Sequence, residues 1–107
     1  KPEDANIKTR IASAAQEVSA REKAHADARD ALEAAEAERT KLEGEVGEAE
    51  QAYADAPTDA KAKAVMKARE SRDLAALRCS RPAQVLARAE AELGTARDAL
   101  AALEAGG

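Results

Sequence analysis

The chain has 107 residues, a net charge of −4, and 36% charged residues. Its apolar residues are mostly alanine, with one tyrosine and neither phenylalanine nor tryptophan, which excludes a broad globular core. Alanine, glutamate, lysine, leucine and arginine dominate, as is typical of long helices and coiled coils. No segment alternates at the period of a β-strand. We therefore expect an all-α protein.

The first half of the chain carries a heptad pattern, in which packed positions recur at alternating spacings of three and four residues. This pattern predicts a first helix over about residues 3–54. Three of its heptad positions are polar. The heptad positions are Ile7, Ile11, Ala14, Val18, Arg21, His25, Ala28, Leu32, Ala35, Arg39, Leu42, Val46, Ala49, Tyr53 and Ala56.

Pro57 predicts a turn over residues 55–59, because the residue before a proline is disfavoured in helical conformation. Thr58 or Asp59 can then cap a second helix over about residues 60–105. A second heptad follows. Its positions are Val65, Ala68, Arg72, Ala75, Cys79, Pro82, Leu86, Ala89, Leu93, Ala96, Leu100 and Leu103.

Pro82 lies inside the second heptad and lacks a backbone N–H donor. The heptad phase is the same before and after it, which favours one kinked helix. The alternative is a break near Ser80, with Ser80 as the N-cap of a third helix.

Matching the two heptads predicts a long antiparallel two-helix coiled-coil hairpin with an alanine-rich interface, forming a single domain over residues 1–107. Paired residue numbers that sum to roughly 114 place a large residue opposite a small one, as in Val46 with Ala68 and Ala28 with Leu86. A domain-swapped dimer would use the same contacts.

Charge supports this pairing. The segment 33–55 holds eight acids and two bases, and the segment 61–81 holds seven bases and two acids. Polar heptad residues and neighbouring glutamates are expected to set the register, with the guanidinium groups reaching flanking carboxylates. These register-setting residues are Arg21, Arg39, Arg72, Glu43 and Glu45.

Residues that could support catalysis or metal binding are few. His25 has no ligand or base partner at one-turn spacing, and Cys79 is the single cysteine. The acidic run lacks a calcium-binding loop, and no phosphate loop, nucleophile elbow or zinc signature occurs. We expect a protein that is not an enzyme, with no catalytic or metal site, no cofactor and no small-molecule substrate.

A candidate interaction face lies on the second helix, roughly opposite its heptad positions. It consists of Met66, Leu74, Leu77 and Val85. Apolar residues on the solvent side of a helix can mark a contact with a partner. We expect a protein partner or self-association, as a dimer or a four-helix assembly.

The turn is a second candidate, because Asp55, Pro57 and Asp59 would place two acids at the tip of a long hairpin. In outline this resembles the antiparallel hairpins of bacterial transcription factors that enter the secondary channel of RNA polymerase. The resemblance implies a regulator that acts through its acidic tip. A nucleic-acid-binding arm, similar to that of seryl-tRNA synthetases, is a further alternative, although no basic excess survives the pairing of the two helices.

The leading interpretation is a structural and protein-interaction module that acts as a rigid spacer or as a dimerisation hairpin. The alanine- and arginine-rich composition favours a bacterial source, and the absence of an initial methionine suggests a processed chain or part of a larger protein. No membrane span is expected. Cysteine usage leaves the compartment open, with the cytoplasm favoured over the periplasm.

Overall fold

The computed structural model describes the backbone of residues 2–106 and the side chains of residues 5–106. This part of the chain forms three helices, α1 (Pro2–Asp55), α2 (Asp59–Arg78) and α3 (Ser80–Gly106), and contains no strand. The all-α prediction is confirmed. The first helix starts and ends one residue beyond the predicted bounds.

The turn between α1 and α2 spans residues 56–58 and is shorter than predicted. Thr58 has an extended backbone (φ −104°, ψ 160°), and its hydroxyl accepts a hydrogen bond from the Lys61 N–H at 3.2 Å. The Thr58 carbonyl accepts the first helical bond of α2 from Ala62 at 2.9 Å. Thr58, rather than Asp59, is therefore the N-cap, and it satisfies an amide that α2 itself cannot pair.

The predicted continuous second helix is interrupted at one residue, Cys79. Pro82 has no N–H to donate to the carbonyl four residues earlier, that of Arg78, and α2 ends at Arg78. Cys79 keeps a right-handed helical backbone (φ −78°, ψ −21°), and its carbonyl accepts the Ala83 N–H at 3.1 Å. The heptad phase therefore continues, while the N-cap position falls on Cys79 and not on Ser80.

Cys79 also compensates locally for the break. Its N–H donates to Ala76 three residues back, at 3.2 Å, instead of to Ala75 four residues back. The Cys79 thiol donates to the Ala75 carbonyl at 3.4 Å. Both residues are buried, so this hydrogen bond is formed away from solvent.

The chain divides into two compact units. The α1–α2 unit comprises residues 30–83, and its helices form a hairpin around the turn at 56–58. Its most buried residues are Val46, Val65, Ala75 and Cys79.

The α1–α3 unit comprises residues up to Arg29 and residues from Gln84 onward. Ala28 is buried on α1, and Ala89, Leu93 and Ala96 are buried on α3. The pairs Arg21–Glu92 and Glu22–Arg97 join α1 to α3, and Ile7 and Leu103 line one shallow cleft. Low numbers on α1 thus meet high numbers on α3, as in an antiparallel pair.

Burial follows the predicted heptads closely. Each heptad position of both helices is buried or half-buried, except Tyr53. Tyr53 is 41% exposed, and the neighbouring Ala52 is half-buried instead. The prediction of Tyr53 as a packed residue is wrong. Beside the turn, the small Ala52 takes the packed position instead.

Candidate protein-interaction surface

The outer face of α2 exposes three large apolar side chains. Leu77 is 70% exposed, Met66 62% and Leu74 52%. Val65 and Ala75 are buried on the opposite face of the same helix. Since residues on one side of a helix recur at spacings of three, four, seven and eight, Met66, Leu74 and Leu77 share one face. Burial of these side chains against a partner would be favourable, because removing apolar surface from water lowers the free energy.

Val85 lies in α3, within the α1–α3 unit, and is 45% exposed. It is therefore a separate exposed apolar residue of that unit. The α1–α2 unit carries the other three residues of the predicted face.

A shallow cleft of about 340 Å³ opens beside the turn in the α1–α2 unit. Tyr53 of α1 lines it together with Val65 and Met66 of α2. Arg69 and Glu50 form an ion pair across its edge at 3.6 Å. The cleft thus has an apolar floor and a charged rim, which suits an apolar side chain of a protein ligand.

The tip carries the two acids that the sequence predicts there. Asp55 accepts a hydrogen bond from the Gln51 side chain at 3.0 Å and ends α1. Asp59 begins α2, where a carboxylate is favourable next to the positive end of the helix dipole. Lys61 donates from its ammonium group to the Ala52 carbonyl at 3.4 Å and ties α2 to α1 behind the tip.

Arg21 contacts carboxylates of both α1 and α3. Its guanidinium group donates to Glu17 on the same helix at 2.7 Å and to Glu92 on α3. The pKa of Arg21 is raised above its ordinary value by the hydrogen bond to Glu17 and by the negative charges of Glu17 and Glu92. His25 lies one turn further along α1, with Nε2 3.5 Å from Glu90. The predicted register places Arg21 opposite Leu93 and His25 opposite Ala89, and each observed partner is one residue away.

Arg39, Glu43 and Arg72 form ion pairs within their own helix, whereas Glu45 forms none among residues 5–106. Arg39 lies 3.7 Å from Glu36 and 3.3 Å from Glu43, both on α1. Arg72 pairs with the adjacent Asp73 at 3.1 Å and not with a glutamate of α1. Glu45 is exposed and has no ion-pair partner among residues 5–106. Across the α1–α2 unit, the described ion pair between helices is that of Glu50 with Arg69.

Metal-binding geometry is absent from the described part of the chain, where no three histidine, cysteine, aspartate or glutamate side chains come together. None of the helices within residues 2–106 is sufficiently long and apolar to cross a membrane.

Sequence reasoning missed the cleft at Tyr53 and the thiol contact of Cys79. The heptad assigns both residues to packed positions and carries no signal for a gap or a carbonyl partner. Comparison with protein-family models, with curated proteins and with solved structures gives no match to this chain.

Proposed function

We propose that this chain is a non-catalytic interaction module, a rigid coiled-coil hairpin that binds another protein chain through the outer face of α2. This proposal rests on the exposure of Met66, Leu74 and Leu77 on one side of a helix whose other side is packed. Exposed apolar side chains that share one face of a helix mark a candidate contact surface.

The coiled-coil part of the proposal is supported by the burial pattern. Half-buried and buried positions keep the spacing of three and four along α1 from Ile7 to Ala49. Such a strict seven-residue repeat favours left-handed supercoiling of paired helices. A stiff pair of this kind presents its outer face with little loss of conformational entropy on binding.

The cleft supports a protein ligand over a small molecule. It is shallow and adjoins Met66, so a ligand seated on the face can also place a side chain against Tyr53. The charged pair Glu50–Arg69 at its rim would remain solvated, as rim residues of protein interfaces do.

Photocrosslinking in cells that express the chain tests the proposal. p-Benzoylphenylalanine in place of Leu77 should yield adducts with a protein chain, and Leu74→Glu should remove them because a charge on the face opposes desolvation. The same photoreactive residue in place of Lys41, which is exposed on α1, is the control and should give none. Equal labelling at both positions, or no adduct at position 77, would contradict the proposal.

A further inference from the structure

We infer that the partner of the α2 face is a second copy of this chain, packed antiparallel about a two-fold axis that crosses this face between Leu74 and Leu77. The inference rests on the proposed function, since it identifies the occupant of the same face.

Four exposed residues form one stripe on this face at spacings of four, three and four. They are Glu70, Leu74, Leu77 and Arg81. All four belong to the α1–α2 unit. The helical backbone of Cys79 keeps the first turn of α3 in phase with α2, so Arg81 continues the stripe past the interruption.

The stripe is complementary to its own antiparallel copy. An antiparallel second helix, aligned at the Ala75–Ala76 midpoint, places Leu74 opposite the second copy's Leu77 and Glu70 opposite the second copy's Arg81. The two-fold axis repeats both contacts. The result is an apolar centre of four leucines with an ion pair at each end.

A parallel alignment of the same stripes is unfavourable, because it would bring glutamate against glutamate and arginine against arginine. The charges therefore select the antiparallel orientation, as flanking charges do between paired helices.

The two charged residues of the stripe are not engaged elsewhere in the described part of the chain. Glu70 and Arg81 have no ion-pair partner within the chain among residues 5–106. Asp73, beside the stripe, is held by Arg72 at 3.1 Å and adds no competing charge to the centre. The leucines are the most favourable groups to desolvate here, with more than half of each side chain exposed.

The contact is small, with two leucines from each copy, so we expect a weak dimer. Sedimentation equilibrium over about 10 µM to about 1 mM covers the Kd range of such complexes. The wild-type chain should pass from monomer to dimer across this range and form no larger species.

Charge reversal tests the register. Glu70→Arg alone and Arg81→Glu alone each replace two attractive pairs by two repulsive ones, and each should weaken the dimer about tenfold or more. An equimolar mixture of the two variants should regain the wild-type affinity as a heterodimer, because every pair is then of opposite sign. Glu48→Arg, the same change at an exposed site on α1, should leave the wild-type dimer unchanged.

Two results would overturn the inference. A wild-type chain that stays monomeric throughout would do so, and adducts of position 77 with a different protein would then leave the proposed function intact. A mixture that remains monomeric while wild type dimerises would refute this register. Circular dichroism of each variant confirms that its helices are retained, which the exposure of the changed positions leads us to expect.

Discussion

Replacing Ala75 by leucine tests how closely the two helices of the α1–α2 unit approach each other. Ala75 is 2% exposed, so its methyl group is already enclosed. Leucine adds three carbon atoms that would have to displace neighbours, and overpacking of this kind costs about 1–3 kcal/mol. In an open interface the same carbons would instead be buried favourably, at about 0.8 kcal/mol per methylene group. A loss of stability therefore indicates close packing of the two helices, and a gain indicates an open interface.

The assay is thermal and urea unfolding followed by circular dichroism, at a protein concentration low enough to keep the chain monomeric. Ala75→Leu should lower the melting temperature by about 4 °C or more, given about 4–8 °C per kcal/mol for small domains. Ala64→Leu is the matched control, since Ala64 is exposed on α2 and the same substitution changes the intrinsic helix propensity by the same amount. The melting temperature of this control should differ little from that of the wild-type chain. A gain in stability for Ala75→Leu relative to Ala64→Leu would refute close packing of the helices.

Two further predictions concern the helix ends. Pro82→Ala supplies an N–H donor for the Arg78 carbonyl and should raise the free energy of unfolding by about 1 kcal/mol, measured by urea titration. A loss of stability would show that the proline does not cause the break at Cys79. Thr58→Ala removes the side-chain acceptor of the Lys61 N–H and should cost about 1 kcal/mol, whereas Thr58→Ser should restore most of it. Equal melting temperatures for the alanine and serine variants would mean that the cap contributes nothing.

The heptad pattern predicts most of the packed residues, because the residues that face the partner helix recur at the heptad spacing. Ile7, Val18 and Leu93 are buried or half-buried as their spacing requires. Tyr53 departs from the pattern because the turn, and not the repeat, decides where α2 begins. A repeat locates a packed face, but it does not locate the last residue that the returning helix covers.

Contacts of long charged side chains could not be predicted to the same degree. Arg72 contacts the adjacent Asp73, and Arg39 contacts glutamates of its own helix, so neither arginine joins the two helices. Exposed ion pairs are worth about 0.2–1 kcal/mol, so neighbouring carboxylates compete nearly equally for each guanidinium group. Arg21 differs because its two carboxylates, Glu17 and Glu92, approach from both helices.

The same charge distribution determines when the α2 face can accept a second copy. The segment 61–81 has seven bases and two acids, and two such segments would repel each other if they met alone. In the folded hairpin each segment lies beside segment 33–55, whose eight acids and two bases offset that excess. Pairing of α1 with α2 therefore favours contact between two α2 faces, because it offsets this repulsion. Salt should then weaken the hairpin and the proposed dimer together, because screening removes both the offset within a chain and the end pairs between chains.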